Sequence, residues 1–233
     1  MGARMRKLGY CSLVIVLFSG VAFIAQTSDY PNKSIELIAT PVWTADAAEA
    51  RQKISKSGIP YLDDAQAGPE ELVKAIRARR PGGKLLNLDR MLLHSPPFAR
   101  GWNTMFAAVR RQLAVSFKLR ELAIMAIGVI NKADYEWVQH VPDFLAAGGT
   151  KAQMEALKDV STAINNTKLF DESERATLAL TYEMTRNITV ADATMARVRA
   201  ILPDQHVVEL IGTIAAYNMV SRFLVATGIE LEE

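Results

Sequence analysis

The chain has almost no sulfur chemistry to offer: Cys11 is its one cysteine, and it lies in an apolar stretch near the N-terminus. A single thiol excludes internal disulfides and a resolving cysteine pair, and loss of the N-terminal stretch would leave no thiolate nucleophile. Histidine is scarce too, with three in the chain. His94, His140 and His206 stand in no HExxH or Cys/His spacing, so the sequence predicts neither a metal nor a cofactor. An excess of either charge is missing too, since 27 Lys and Arg against 25 Asp and Glu give a formal net charge of +2. With no long basic block interleaved with aromatics, nucleic acid is set aside as a partner. Beyond residue 50 no strand pattern with a period of two survives.

What is present begins with Arg4, Arg6 and Lys7, followed by the uncharged run LGYCSLVIVLFSGVAFIA at 8–25. Basic flank followed by apolar core reads as a secretory signal peptide over 1–25, with Gly20 and Ala22, or the ADAAEA stretch ending at Ala50, as cleavage points. Export to the periplasm or medium is therefore expected. The alternatives are an uncleaved membrane anchor at 8–25, because the run is just long enough to span a bilayer, or a cytoplasmic protein. Cys11 reads as an apolar residue of this leader. Residues 26–50, with Pro31, Pro41 and a lone β-like run at 34–43, read as a leader remnant or linker. Residues 51–233 then make one domain of ordinary size.

That domain reads as helix after helix, an all-α fold punctuated by Gly, Pro and capping residues. Gly68 and Pro69 open EELVKAIRARR, which stops at Pro81; LLNLDRMLLH ends at Pro96 and Pro97; and GWNTMFAAVRRQL leads to Ser116, a cap for LRELAIMAIGVIN. Asp134 is the expected cap of YEWVQHVPDFLAA. Thr150 with Gln153 and Asp171 with Glu174 form capping boxes, and Asp204 starts a long last helix closed by Gly228. Residues 122–130 are apolar at every position, so this helix has no solvent face and belongs at the centre of the domain or of an oligomer.

Two places carry chemistry. Glu121 sits at the mouth of the apolar helix, where an ionised carboxylate needs a partner such as Arg120 or a channel to water. Glu136 and His140 lie four residues apart on one helix face, which lets a carboxylate orient an imidazole for proton transfer; the same pair also suits an ordinary helix start and a packed histidine. Pro142 removes the amide that would bond the Val138 carbonyl, so a kink or free carbonyl is expected beside His140.

The stretches LLNLDRMLLHSPPFARGWN and LRELAIMAIGVINKADYEWVQHVPDFLAAGG resemble the carboxymuconolactone decarboxylase and alkylhydroperoxidase-like superfamily, over about residues 60 to 228. The resemblance implies a compact multi-helix bundle that assembles into homo-trimers or hexamers with sites near subunit contacts. The hydroperoxidase branch places a Glu, a Cys-x-x-Cys pair and a His on these two helices. Here Glu121 and His140 fill the outer places, while Ala133 and Glu136 stand where the cysteines would be, so dithiol peroxidase chemistry is excluded and the decarboxylase-like branch fits better.

On that resemblance His140 is the expected acid/base, Glu136 its orienter and Glu121 a second proton relay, acting on a small carboxylate or lactone. Tyr135 and Trp137 are expected to line the pocket, with Arg222 and Asn218 as substrate contacts and Arg100 as a second cation. A hairpin with a rise of about 1.5 Å per residue puts Glu121 about 16 Å and His140 about 9 Å from the turn, so a water is expected to bridge them. His94 and His206 read as helix-end and surface residues. The readings that stand are a lyase or isomerase with thiol-free acid/base chemistry, a non-catalytic oligomeric ligand-binding or scaffold protein, and, disfavoured by the missing cysteines, a peroxidase.

Overall fold

The computed structural model describes residues 14–18, 21–25 and 52–232 and divides the chain into two units, 1–51 and 52–233. In the first unit β1 (Val14–Phe18) and β2 (Val21–Ala25) pair antiparallel, with Val14 opposite Ala25 and Phe18 opposite Val21. Cys11, the 26–50 segment and its β-like run lie outside the described residues.

The second unit is helical apart from an isolated bridge between Ile54 and Pro60. Its elements are α1 (Glu70–Arg77), a short 3-10 turn (Pro81–Gly83), α2 (Asn87–Leu92), α3 (Pro96–Arg111), α4 (Phe117–Ile130), α5 (Asp134–Ala146), α6 (Lys151–Leu157), α7 (Val160–Ala163), α8 (Glu172–Arg186), α9 (Asp192–Ile201) and α10 (Asp204–Thr227).

Local rules account for most of these boundaries. Both expected capping boxes form, at Thr150 with Gln153 and at Asp171 with Glu174. Pro96 and Pro97 do not merely end α2. They open α3 at its first positions, where a missing amide costs nothing and the fixed φ is already helical. Asp134 is the first residue of α5 rather than its cap, a place taken by Ala133, and its charge faces the positive end of the helix. Pro142 lies inside α5 without ending it. α9 has no counterpart among the helices expected from sequence.

α4 lies at the centre of this unit, as its composition demands. Ala123, Ile124 and Ile127 belong to a core shared with α1, α2, α3 and α10, whereas Leu122, Met125, Ala126 and Ile130 belong to a second core with Phe144, Leu157, Phe170 and Leu178. An all-apolar helix is what two cores on opposite flanks require. α10 is, among the described residues, the one helix long and apolar enough to cross a membrane, yet half of that stretch is buried inside the fold, where it packs against α3, α4, α5, α8 and α9.

Gly228 closes α10 in the left-handed conformation, φ 61°, and donates to the Val225 carbonyl. A Cβ there would lie 2.7 Å from Cβ of Lys56. Gly228→Ala therefore meets a conformational and a steric penalty together, and is expected to destabilise the fold by about 1–2 kcal/mol, measured by urea denaturation. A midpoint equal to that of the parent chain would contradict this account of the cap.

Candidate functional site

α4 and α5 form a hairpin whose turn is tight. Lys132 takes a left-handed φ of 56°, and the Ala133 amide donates to the Gly128 carbonyl at 2.8 Å. The missing side chain of Gly128 lets α5 come close, since even a Cβ there would meet the Trp137 amide nitrogen at 3.4 Å. This hairpin brings Glu121 of α4 to His140 of α5, with Nδ1 of the imidazole 2.7 Å from Oε2 of the carboxylate. Both side chains are buried, at 3% and 5% exposure. The bridging water expected from the helix offset is not needed.

Glu136 has a different partner. Its Oε2 accepts the Ser221 hydroxyl of α10 at 2.8 Å, and its Oε1 is buried with no partner. The expectation that Glu136 orients His140 is corrected accordingly. Adjacent turns of α5 put the two side chains on one face, but the imidazole turns toward α4, where a carboxylate offers a short bond, and Glu136 turns toward α10. Nor does Arg120 satisfy Glu121: its Nη1 donates to the Val109 carbonyl and its guanidinium stacks over Phe117.

Electrostatics divide the two acids. Burial pushes the Glu136 carboxyl well above the usual carboxylate range; the Ser221 hydrogen bond opposes this in part and the nearby Glu121 adds to it. That direction favours the protonated form of Glu136 in the folded chain. An ionised Glu121 accepts from Nδ1–H of His140 and so selects that tautomer, with Nε2 on the other edge of the ring. Among the described residues Nε2 has no protein partner. Tyr217 packs edge-on against the imidazole at 5.1 Å and 87°, its hydroxyl pushed up by burial, with Arg110 opposing and Glu121 and Glu136 adding to the shift.

A stability prediction follows from Glu136. Between the ordinary carboxyl range and the raised value, the folded chain binds a proton that the unfolded chain has lost, so stability is greatest at low pH and falls as pH rises through that window. Glu136→Gln should remove this fall. Urea midpoints measured at about pH 5 and about pH 8 should converge in the variant and separate in the parent. Equal pH dependence in both proteins would contradict a protonated Glu136.

His140 and Glu136 line a cavity of about 930 Å³, together with Tyr135, Gln139, Pro142 and Asp143 of α5 and residues of α2, α3 and α10. Its walls are basic: Arg79, Arg80, Lys84, Arg90, Arg110 and Arg111 all face it. Arg80 is spent on a buried two-point pair with Asp89, and Arg110 pairs with Asp143 at 2.5 Å. Burial alone would lower Arg110, but Tyr217, Asp143 and Glu121 around it hold it above its ordinary value. Arg79 shows the opposite balance. Burial first, then Arg80 and the other cations around it, push its guanidinium down to about 10. Its Nε donates to Asn103, while its terminal nitrogens bond to no described residue. Cations crowded in this way create a site for an anion.

Not every residue expected at the site reaches it. Tyr135 lines the cavity, but Trp137 sits on the opposite flank of α5, against the second core. Asn218 and Arg222 are likewise displaced. Arg222 folds back to donate to the carbonyl and side-chain oxygens of Asn218, both at 2.9 Å, and Asn218 also bonds Asn131, Thr185 and Ile214. The two line a separate depression with Met184, Ile188 and Phe223. The face of α10 that meets the cavity instead carries Val220 and Leu224. Arg100 is exposed on α3, His94 is exposed with Nε2 2.7 Å from the Pro60 carbonyl, and His206 lies in the first turn of α10.

One group with the potential to hold a metal exists among the described residues: ligand atoms of Glu121, His140 and Asp143 all lie within 4.8 Å of one another. Spacing along the chain does not reveal it, because Glu121 comes from another helix. A cation there would have to take Asp143 from Arg110 and compete with the bond between Glu121 and His140.

Residues 96–181 match the model of the carboxymuconolactone decarboxylase family, a stretch that contains Glu121, Glu136 and His140. Comparison with the curated proteins finds no match. Among solved structures, the fold is similar to an alkylhydroperoxidase AhpD core, a peroxidase-related protein from Ralstonia eutropha JMP134, with a TM-score of 0.64, 18% identity and coverage of 78% of this chain and 94% of that one. It is similar to a peroxidase-related protein from Silicibacter sp. TM1040, with a TM-score of 0.62, 17% identity and coverage of 78% and 95%. The debrominase Bmp8 in complex with 2,3,4-tribromopyrrole gives a TM-score of 0.61 at 15% identity, covering 74% of this chain and 90% of that chain. At these identities the likenesses establish the fold. The chain thus has the alkylhydroperoxidase-like all-α fold, and the part of it that carries Glu121, Glu136 and His140 matches the carboxymuconolactone decarboxylase family.

Proposed function

We propose that this chain carries out thiol-free proton-transfer chemistry, decarboxylation or isomerisation, on a small lactone or oxo acid held in the basic cavity. The observation that carries the reading is the buried bond between Glu121 and His140, which leaves Nε2 of the imidazole for a guest in a cavity of about 930 Å³. A carboxylate-supported imidazole beside a protonated carboxylic acid is a base and an acid one helical turn apart.

In an isomerisation, Nε2 takes a proton from the carbon next to the guest's carbonyl, and the electron pair of that C–H bond moves into the carbonyl to form an enolate. Glu136 then gives its proton to the far carbon of the conjugated system. The pair returns into the new C–H bond, and solvent carries the proton from imidazolium back to Glu136. In a decarboxylation, the bond to the carboxylate breaks instead, carbon dioxide leaves, and the acid protonates the carbon that bore it. Arg79, crowded by other cations and with unused donors, opposes the negative charge on the guest's carboxylate or enolate oxygen.

Two of the similar folds are named as peroxidase-related proteins. A dithiol route is unavailable here, because Ala133 and Glu136 hold the corresponding places and Cys11 is the chain's sole thiol.

The test is a panel of unsaturated lactones and oxo acids incubated in deuterium oxide with the full chain. Carbon dioxide release, double-bond migration or deuterium at carbon is expected for at least one class, and is expected to vanish in Glu136→Gln. Turnover that is the same in the variant would remove Glu136 as the acid.

A further inference from the structure

The C-terminal tail places a carboxylate inside the cavity. Glu232 Oε1 accepts the Tyr135 hydroxyl at 2.8 Å and the Asn87 backbone N–H at 2.6 Å, while its Oε2 accepts from the Gln139 side-chain amide at 2.8 Å. All four residues line the same space as His140 and Glu136. Three donors converge on one carboxylate from α2 and from two successive turns of α5, and both oxygens are used. Burial, and then the Glu232 charge beside it, push the Tyr135 hydroxyl well above its ordinary range, which keeps it a donor.

The tail does not need this contact to stay in place. Two residues earlier the backbone is tied down separately, because the Glu230 amide donates to the Tyr61 hydroxyl at 2.9 Å and the Glu230 carbonyl accepts from the Asn87 side-chain amide at 2.9 Å. Ile229 is buried in the first core. The Glu232 side chain is thus free to leave its three donors while the backbone around it stays anchored.

We propose that Tyr135, Gln139 and the Asn87 amide form a carboxylate-binding subsite, and that Glu232 occupies it in the resting chain as an internal competitor for the carboxylate of an incoming guest. The inference takes from the functional reading only the class of guest. It adds a second recognition point on the wall of α5, separate from Arg79. A guest must displace Glu232, so its apparent affinity falls by the fraction of time the subsite is open.

Calorimetric titration of the full chain with 4-oxopentanoate tests this without any turnover. Glu232→Ala is expected to bind the probe about tenfold more tightly than the parent, the factor for a subsite closed about nine-tenths of the time, with Glu232→Gln between the two. Adding Tyr135→Phe to the Glu232→Ala chain is expected to reverse most of the gain. Equal affinity in parent and Glu232→Ala, a gain that survives Tyr135→Phe, or no binding by either protein would overturn the proposal. Circular dichroism of each variant checks that the fold is retained. Because the readout is binding, failure of the lactone and oxo acid panel leaves this result standing, and a negative titration leaves the panel result standing.

Discussion

Replacing His140 with alanine is expected to lower turnover of a responsive lactone or oxo acid by about 10²–10⁴-fold, the usual contribution of one positioned acid/base group. The effect should fall on kcat more than on KM if, as proposed, the imidazole moves a proton in the transition state while the cations around Arg79 hold the guest in the ground state. Glu121→Gln keeps the size of the side chain and removes its charge, so its loss should be smaller than that of His140→Ala and again fall on kcat. Steady-state kinetics on the three proteins separate these outcomes. A His140→Ala chain with parental kcat would remove the imidazole from the chemistry.

The largest expected effect on stability comes from the cavity wall. Asp89 and Arg80 form a two-point pair, Nε to Oδ2 at 2.8 Å and Nη2 to Oδ1 at 2.6 Å, with side chains only 2% and 8% exposed. The Oδ2 atom also accepts the Leu86 amide at 2.9 Å, just before α2 begins. Asp89→Ala leaves a buried guanidinium without its counter-ion and an amide without its acceptor. Breaking a buried pair by removing one partner costs about 3–5 kcal/mol, so the urea midpoint should drop sharply. Replacing both residues by apolar side chains of similar volume should recover much of the loss, because no orphaned charge remains. A single variant within about 1 kcal/mol of the parent, the range of exposed ion pairs, would contradict the burial assigned to this pair.

Much of the fold was legible because its signals are local. The all-apolar run at 122–130 has one physical solution, burial on every side, and α4 takes it between two cores. The capping boxes at Thr150 and Asp171 are complete within four residues each, and both form. The site was legible only in part, because its geometry depends on which way each side chain turns. Spacing put Glu136 beside His140 along the chain, yet the imidazole bonds Glu121 across the hairpin, over an axial offset of about 7 Å that two extended side chains span.

The directions of faces were the other loss. On α5, residues 136, 139, 140 and 143 turn to the cavity and Trp137 to the second core, a split that a helix with aromatic residues on both flanks does not announce. α10 is apolar nearly all round, so periodicity gave no direction for Asn218 and Arg222, which bond each other away from the cavity. Arg79 and Arg80 close one helix expected from sequence, and Arg110 and Arg111 lie late in another about thirty residues on. Only the folded chain brings these two clusters together. Glu232, one residue from the end of the sequence, carried no signal at all.

Imidazole nitrogen NMR reads directly whether Glu121 holds His140 with Nδ1 protonated and Nε2 open to the cavity. With three histidines in the chain, a nitrogen-15-labelled sample gives few signals, and His140→Ala identifies the one that matters. At mildly alkaline pH a single Nδ1–H tautomer is expected for His140, slow to exchange with solvent, whose Nε2 signal moves when 4-oxopentanoate is added. An Nε2–H tautomer, or a ring exchanging as freely as that of exposed His94, would contradict it.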